Sequence, residues 1–291
     1  MEKIRFEKTS APKPKFDVSK VGFGTVFSDH MFIMDYEKNK GWYDPRIVPF
    51  APFSISPAAT VLHYAPEIFE GMKAYRTPEG KVQLFRPIEN VKRMNISAER
   101  MCLPQIEEEM MMEALMEIVK ADQSWVPSEP DTSLYIRPFM FGTDEQLGIH
   151  TPQHCIFSII TCPVGSYFRE GINPVRIAIE KDDVRAVKGG TGYAKCGGNY
   201  AASLRAGERA AAQGYSQVLW LDGVERKYIE EAGGMNVMFK IDGKVVTPAL
   251  LGSVLAGITR KSLIEMLKSW NIPVEERLIS LEELLDAINN G

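Results

Sequence analysis

Several features are missing from this 291-residue sequence, and each absence excludes a class of protein. No apolar run reaches the ~18 residues that a membrane-spanning helix needs. The 34 basic and 38 acidic residues give a net charge of −4 without a long basic run, which argues against nucleic acid or an anionic membrane as main partner. Residues 1–20 lack an apolar centre and include acidic side chains, so neither a secretory signal nor a transit peptide is predicted.

Cysteine and histidine are scarce, with four residues of each type. No CxxC pair or disulfide framework can be drawn among the cysteines, which are Cys102, Cys155, Cys162 and Cys196. His150 and His154 have the spacing of metal ligands on a helix, but the Thr151-Pro152 pair between them disfavours that helix. We therefore predict a protein of the reducing cytoplasm without a metal site.

Apolar periodicity and turn residues predict a mixed α/β chain (α+β in part). The predicted helices are residues 87–101, 105–121, 200–213, 258–270 and 280–291. The predicted strands are residues 72–76, 81–85, 133–141, 155–162, 175–179, 217–221, 228–231, 236–241 and 244–247. Residues 1–20 are predicted to form an irregular arm, and residues 41–57 a long ordered loop rich in proline and aromatic side chains.

The length of the chain favours two domains. The best linker signal is in residues 165–174, which include Gly171 and the pair Asn173-Pro174. We therefore predict an N-terminal α/β domain with its arm at residues 1–168, the small domain of the pair, a linker at 169–174 and a large domain at 175–291 that is incomplete at its C-terminus.

A glycine-rich stretch around Lys195 carries the strongest chemical signal. Five glycines lie between Lys188 and Asn199, just before a predicted alanine-rich helix. Such density indicates either turns with positive φ or a close approach of the backbone to a bulky group. A partly desolvated lysine is disfavoured as an ammonium ion, and its neutral amine can attack a carbonyl carbon. A solvated loop lysine is the alternative interpretation.

Two further patterns suggest ligand contacts. Residues 255–260, Leu-Ala-Gly-Ile-Thr-Arg, open a predicted helix, and the free amides of a helix start can bind phosphate. Glu230 and Glu231 precede the pair Gly233-Gly234, which would let a planar ligand approach. Because neighbouring strand residues face opposite ways, we expect one carboxylate to point inward and the other to stay in water.

Eight segments, in order along essentially the whole length, resemble the branched-chain amino acid aminotransferases, and the bacterial members most. These enzymes have fold type IV, the two-domain fold of the D-amino acid aminotransferase-like proteins, and use pyridoxal 5′-phosphate. The matching segments are Phe27-Ser28-Asp29-His30-Met31, Leu62-His63-Tyr64, Phe69-Glu70-Gly71-Met72-Lys73-Ala74-Tyr75, Ser133-Leu134-Tyr135-Ile136-Arg137-Pro138, Cys162-Pro163-Val164-Gly165-Ser166-Tyr167-Phe168, residues 189–200, Gln217-Val218-Leu219-Trp220-Leu221 and residues 231–236.

The resemblance implies roles for the residues of the cofactor site. Lys195 matches the lysine that binds the cofactor covalently and later moves the proton at the substrate Cα. Tyr200 matches the tyrosine that hydrogen-bonds the pyridoxal O3′. Glu231 matches the carboxylate that keeps the pyridine nitrogen protonated; counting from Lys195 would select Glu230, but the Glu-x-Gly-x-Met-Asn frame favours Glu231. The phosphate contacts implied are Arg93 and the amides of Ile258 and Thr259.

The resemblance also implies an apolar substrate pocket that takes leucine, isoleucine and valine and admits glutamate and 2-oxoglutarate. A single methylene is worth only ~1–3 kcal/mol in such a pocket, so broad use of all three amino acids is expected. A homodimer is implied, with two of the pocket tyrosines shared across its interface. The pocket positions are Phe27, Tyr64, Phe69, Tyr135, Arg137, Ile149 and Tyr167, of which Tyr64 and Tyr135 are the shared ones.

Family members continue past the final helix into a Gly-Ser/Thr-Gly-Thr-Ala segment that contacts the phosphate, whereas this sequence ends at Gly291. The expectation is therefore a second domain that is incomplete at its C-terminus. Three alternatives stay open: a D-amino acid aminotransferase, an aminodeoxychorismate lyase, and a truncated protein that binds pyridoxal phosphate without catalysis.

Overall fold

The computed structural model describes residues 2–14, 16–17, 22–165 and 173–290. Contacts between Cα atoms divide the chain into two units, Met1–Ile172 and Asn173–Gly291. Among the described residues, no helix is both long enough and apolar enough to cross a lipid bilayer.

An eight-stranded sheet is the framework of the first unit. Its strands are β1 (Arg5–Phe6), β2 (His30–Glu37), β3 (Gly41–Pro49), β4 (Glu67–Phe69), β5 (Met72–Arg76), β6 (Val82–Leu84), β7 (Ser133–Gly142) and β8 (His154–Val164). The order is β1-β3-β2-β8-β7-β5-β6, and β4 also pairs with β7. The β1–β3 pair is parallel, and the others described are antiparallel.

Three helices accompany this sheet: α1 (Thr60–Tyr64), α2 (Pro87–Arg100) and α3 (Glu108–Ala121). Proline in the first turn of α2 confirms the predicted start, because its missing N–H has no intrahelical partner there. Helix α3 begins three residues later than predicted. The Asn95 side chain binds both backbone groups of Ile106, at 2.7 and 3.0 Å, and so holds this segment outside the helix.

The predicted loop at residues 41–57 is wrong over its first half, where β3 lies. Two residues of β3, Asp44 and Pro45, stand opposite the single Met34 of β2, because Ile33 pairs with Arg46 and Asp35 with Tyr43. This is a β-bulge, and Asp44 has the left-handed φ of 49°. A bulge leaves the proline nitrogen outside the ladder, so the strand tolerates a residue that usually ends one.

The N-terminal arm is more ordered than predicted. Strand β1 pairs with β3, and the Thr9 amide N–H donates to His30 Nε2 at 3.0 Å. The Lys13 amide donates to Asp29 at 2.8 Å. The sequence patterns give no prediction for β2, β4 or α1, which are also part of this unit.

The second unit contains two small sheets and three helices. The first sheet has the order β12-β11-β10-β9, and the second β13-β14-β15. Their strands are β9 (Ile177–Ile179), β10 (Gln217–Leu221), β11 (Ile229–Ala232), β12 (Met235–Asn236), β13 (Phe239–Ile241), β14 (Lys244–Pro248) and β15 (Val274–Arg277). The helices are α4 (Gly197–Ala212), α5 (Ile258–Ser269) and α6 (Leu281–Asn290).

Strand β10 is covered on both of its faces. Val218 and Trp220 pack against the small residues of α4, whereas Leu219 and Leu221 belong to a cluster that includes residues of α6. Successive side chains of this strand therefore point into two different apolar layers, whereas a strand with one solvated face would alternate apolar and polar side chains. Neighbouring β11 is buried at all four positions, which decides the environment of its two glutamates.

Candidate active site

The glycines before Lys195 have two different structural reasons. Gly189 has a φ of 85°, a turn conformation that favours glycine. At Gly192 the reason is space, because a Cβ there would overlap the Ser253 carbonyl oxygen and lie 2.6 Å from the Ala186 Cβ. The two explanations drawn from the sequence, a turn and a close approach, each apply to one glycine of the loop.

A buried asparagine fixes the backbone next to Lys195. The Asn199 Nδ2 donates to the carbonyl oxygens of Thr191 and Ala194, each at 2.8 Å, and Asn199 Oδ1 accepts from the Thr191 hydroxyl at 2.8 Å. The Ala194 amide also donates to the Thr191 carbonyl. Since the residue before the lysine is held at both backbone groups, the direction in which Lys195 leaves the loop is fixed.

Lys195 and Tyr200 form the central pair of the candidate site. The Lys195 Nζ donates to the Tyr200 phenol oxygen at 2.6 Å and lies 5.1 Å from the ring centroid. Both side chains are half-buried. The lysine stands just before α4 and the tyrosine in its first turn, so the start of this helix brings them together. A partly desolvated amine beside a phenol can take part in covalent and proton-transfer chemistry.

The Glu231 carboxylate is tied to the segment that leads into α5. Glu231 Oε1 accepts from the Leu255 amide at 2.9 Å, and the Asn236 Nδ2 donates to the Leu255 carbonyl at 2.9 Å. A Cβ on Gly257 would overlap Asn236 Oδ1, so glycine is needed for this contact. Helix α5 begins at Ile258 without a side-chain cap from the described residues, which makes its first turn a possible anion site.

The expectation that one of the two glutamates stays in water is wrong. Glu230 is 7% exposed and Glu231 4% exposed, because β11 is covered on both faces. Arg185 lies beside both: its Nη2 donates to Glu230 Oε2 at 3.2 Å, and its Nε is 3.4 Å from Glu231 Oε2 without hydrogen-bond alignment. Burial raises the pKa of Glu230; the Ser253 hydroxyl and Arg185 lower it, and Glu231 raises it further.

In the first unit, Arg93 is held by a fully buried carboxylate. Its Nε and Nη2 donate to the two Glu70 oxygens at 2.7 and 2.9 Å, in a bidentate pair. The Asn90 Nδ2 adds a third hydrogen bond to Glu70 at 2.8 Å. This network fixes the direction of the guanidinium on α2.

Phe69, Tyr135 and Arg137 lie together in the same unit. The Arg137 guanidinium carbon is 4.6 Å from the Phe69 ring centroid and 5.3 Å from that of Tyr135. Arg137 Nη2 also donates to the Tyr135 hydroxyl at 3.0 Å. A Cβ on Gly71 would overlap that hydroxyl, so this glycine makes room for the tyrosine. The cluster combines aromatic surface with one cation, which suits a ligand that is apolar at one end and anionic at the other.

The remaining predicted pocket positions have neighbours other than this cluster. The Tyr64 hydroxyl donates to the carbonyl of Leu147, two residues from Ile149, whose side chain is 84% exposed. Phe27 stacks on Phe50 with ring centroids 4.9 Å apart. Tyr167 lies outside the described residues.

Several residues of these networks were not predicted from the sequence, namely Glu70, Arg185, Asn199 and Ser253. Each is buried and polar, and each holds a predicted site residue or its backbone. In the sequence, Glu70 follows the apolar pair Ile68-Phe69, and Asn199 and Ser253 each follow glycine, whereas Arg185 has no such neighbour. Such positions are common on protein surfaces, so the pattern alone does not distinguish them.

Comparison with known proteins places the sequence beside a single family. Residues 67–289 match the sequence model described as amino-transferase class IV. Branched-chain-amino-acid aminotransferase 2 of Bacillus subtilis is 54% identical over 288 residues, which cover 99% of this chain and 79% of that protein. The probable branched-chain-amino-acid aminotransferase of Streptomyces coelicolor is 46% identical over 271 residues, covering 93% of this chain and 75% of the relative.

Solved structures lead to the same family. The branched-chain aminotransferase of the archaeon Thermoproteus uzoniensis with norvaline has a TM-score of 0.75 and 26% identity, covering 89% of this chain and 81% of its own. The T.th. branched-chain amino acid aminotransferase with pyridoxamine 5′-phosphate has a TM-score of 0.70 and 28% identity. The match covers 87% of this chain and 78% of that chain.

Proposed function

The chain belongs to the class IV aminotransferases, and we propose that it catalyses reversible amino-group transfer between L-leucine, L-isoleucine or L-valine and 2-oxoglutarate. The products are the branched-chain 2-oxo acids and L-glutamate. The observation that carries the proposal is the 2.6 Å contact between Lys195 and Tyr200 at the start of α4. It supplies the amine that this chemistry requires, in a family whose cofactor is pyridoxal 5′-phosphate.

The second unit has the donor set that this cofactor needs. Lys195 offers an amine for its aldehyde, the buried Glu231 a carboxylate for its ring nitrogen, and the start of α5 backbone amides for its phosphate. Gly257, at which a Cβ would overlap Asn236, keeps side-chain bulk away from that helix start. The residues present therefore fit the group. When bound, pyridoxal phosphate supplies an electron-withdrawing ring that stabilises the carbanion formed at the substrate Cα.

Lys195 and Tyr200 carry the covalent and proton-transfer steps in this proposal. Lys195 would hold the cofactor through its Nζ, and the same amine, when free, would move the proton at the substrate Cα. Tyr200 orients that Nζ by accepting its hydrogen bond and binds the cofactor O3′. Asn199 keeps the lysine backbone in place during both steps, since it holds the Thr191 and Ala194 carbonyls.

Glu231 holds the proton on the ring nitrogen in this proposal. Its carboxylate is oriented by the Leu255 amide, so it needs little rearrangement when the ring binds. The amides of Ile258 and Thr259 bind the phosphate at the start of α5. Arg93 is proposed as a further phosphate contact on the family resemblance.

For the substrate, the proposed contacts are the positions named by the family resemblance. Phe69 and Tyr135 give apolar surface for a branched side chain, and Arg137 pairs with the second carboxylate of glutamate or 2-oxoglutarate. The same cluster thus receives both substrate types in turn. The other proposed contacts are Phe27, Tyr64, Ile149 and Tyr167.

The two units correspond, in this proposal, to the small N-terminal domain and to the incomplete large domain that binds the cofactor, joined near residues 169–174. We also propose a homodimer in the cytoplasm, with Tyr64 and Tyr135 contributed across the interface. Measurement of the molar mass in solution, with and without added cofactor, tests the dimer directly.

Replacement of the proposed catalytic lysine tests the function. Lys195→Ala should abolish transamination of leucine and the visible absorbance of covalently held cofactor. Lys188→Ala is the matched control, because this lysine lies in the same loop but is exposed. The control should keep both properties.

Transamination by the Lys195→Ala chain would contradict the proposed mechanism. Substrate choice is tested with L-leucine, L-valine and D-alanine, each against 2-oxoglutarate. Turnover of the D-amino acid in preference to the L-amino acids would indicate a D-amino acid aminotransferase instead.

A further inference from the structure

Glu230 is a buried carboxylate to which the transamination described above assigns no role. It accepts hydrogen bonds from Arg185 Nη2 at 3.2 Å and from the Ser253 hydroxyl. Arg185 is itself only 8% exposed, and its Nη2 also donates to the Ser253 carbonyl at 2.6 Å. Burying such a charge is costly, so the contacts of Glu230 call for an explanation.

Arg185 connects Glu230 to the proposed cofactor carboxylate. Its Nε is 3.4 Å from Glu231 Oε2, but this donor is not aligned for a hydrogen bond, whereas Nη2 does donate to Glu230. The better-aligned interaction of the cation is therefore with Glu230. Glu230 and Glu231 are adjacent in the sequence and carry like charges, which disfavour each other. A single guanidinium lies beside both carboxylates and offsets part of this repulsion.

A count of charges shows what each group contributes. Arg185, Glu230 and Glu231 together carry a formal charge of −1, because one guanidinium offsets one of the two carboxylates. A protonated pyridine ring beside Glu231 would then make the buried site neutral. Without the Glu230 charge, Arg185 would already neutralise Glu231, and a protonated ring would be an uncompensated buried cation.

Building on the proposed function, we propose that Glu230 is a positioning residue that neutralises Arg185 and thereby reserves the charge of Glu231 for the protonated ring nitrogen of the cofactor. Glu230 does not touch the ring in this arrangement. It acts through Arg185, and Ser253 keeps its carboxylate turned toward that guanidinium. The chemical class of ligand that this charge arrangement favours is a protonated nitrogen heterocycle.

The test compares two cofactors in three forms of the 291-residue chain: wild type, Glu230→Gln and Glu230→Gln/Arg185→Met. The apoenzymes are titrated with pyridoxal phosphate and with 1-deazapyridoxal phosphate, which has a carbon in place of the ring nitrogen. The readout is the affinity for pyridoxal phosphate divided by the affinity for 1-deazapyridoxal phosphate. A general loss of structure weakens both cofactors and leaves this ratio unchanged, so the ratio isolates the interaction with the ring nitrogen.

Glu230→Gln should reduce the ratio by about tenfold or more, which corresponds to about one unit in the pKa of the ring nitrogen. The double variant removes the cation together with its partner, so the ratio should return to within about threefold of wild type. If the single variant does not fold, the double variant still decides, because losing both members of a buried pair is tolerated better than losing one. Its ratio should then match that of wild type.

Glu180 and Arg209 provide a matched control. Glu180 is a buried carboxylate of the same unit, and Arg209 Nη2 donates to it at 2.5 Å. Glu180→Gln and Glu180→Gln/Arg209→Met should leave the affinity ratio at its wild-type value. A change in their ratio equal to that of Glu230→Gln would overturn the proposal.

An unchanged ratio in Glu230→Gln, or a double variant with a lower ratio than the single one, would also overturn it. These outcomes are distinct from a failure of the proposed function. That failure would appear in the wild-type chain as absence of leucine transamination, or in Lys195→Ala as its persistence.

Discussion

Gly192→Ala should both lower the stability of the second unit and lower the affinity of the proposed cofactor site. The backbone φ of Gly192 lies outside the left-handed region, so alanine is conformationally allowed and the effect comes from space alone. The added Cβ would overlap the Ser253 carbonyl oxygen and lie 2.9 Å from the Ser253 carbonyl carbon. Two of the three nearest atoms are backbone, so no flexible side chain can rotate away.

The magnitude follows from the movement needed to relieve the overlap. Overpacking of a buried contact by one methyl group costs about 1–3 kcal/mol. For roughly 150–250 residues that unfold together, each kcal/mol lowers the Tm by roughly 2–4 °C, so a decrease of about 2–12 °C is expected. Displacement of Ser253 would also move Leu255, whose amide binds Glu231, and the affinity for pyridoxal phosphate should fall as well.

Thermal unfolding and cofactor titration measure the two effects. Gly207→Ala is the control: this glycine lies in the interior of α4, and its Cβ would meet no atom within 4 Å. Its replacement should raise stability by about 0.5–1 kcal/mol, because alanine loses less conformational entropy in a helix. The reasoning fails if Gly192→Ala unfolds at the wild-type temperature or above while Gly207→Ala behaves as expected.

Two other predictions concern hydrogen bonds of the second unit. Burial acts to raise the pKa of Asp222, but backbone amides, including that of Tyr228, outweigh it and lower the pKa. The carboxylate therefore stabilises the fold above its unfolded pKa of about 3.9, and this stability is lost as the pH falls through the lower folded value. Asp222→Asn should cost about 1–3 kcal/mol at pH 7 in urea unfolding, and the difference from wild type should shrink at acidic pH; a constant difference would refute this. Tyr200→Phe removes the hydrogen bond from Lys195 and should lower kcat/KM for leucine by about tenfold with an unchanged Tm; an unaltered rate would argue against an orienting role for the phenol.

Local signals predicted five of the six α-helices of the described residues, all except α1, and the strands on either side of Asp242-Gly243. Pro87 marks the start of α2, and the Glu283 amide donates to the Ser280 hydroxyl at 3.0 Å, so a serine stands as a local cap at the start of α6. Asp242 and Gly243 both have positive φ between β13 and β14, the conformation that a two-residue Asp-Gly hairpin turn requires. In each case the conformation is decided by the residue and its immediate neighbours.

Other elements depend on partners distant in sequence, and these were missed or misjudged. Strand β15 is Val-Glu-Glu-Arg, a polar segment that becomes a strand because it pairs in parallel with β14, about thirty residues earlier. In β3, Pro45 fits only because β2 accommodates a bulge opposite Met34. Neither pairing can be read from the segment itself, since propensity is overridden by tertiary context.

The same limit applies to the two glutamates of β11. Period-two alternation places their side chains on opposite faces, but it does not say that both faces are covered. That depends on α4 and α6, which pack on the two sides of neighbouring β10. The compensating Arg185 lies 45 residues before Glu230 in a segment without a distinguishing pattern. The sequence could therefore indicate a carboxylate site but not the charge balance around it.

Ser253 connects the parts of the candidate site that the sequence presents as separate motifs. Its carbonyl oxygen is the atom that Gly192 must avoid and also the acceptor of Arg185 Nη2, while its hydroxyl binds Glu230. Two residues later, the Leu255 amide binds Glu231. The lysine loop, the two carboxylates and the segment before α5 are thus held by one short stretch of backbone. Glycine at position 192 is required because of that stretch, whereas Gly189 in the same loop is explained by its positive φ.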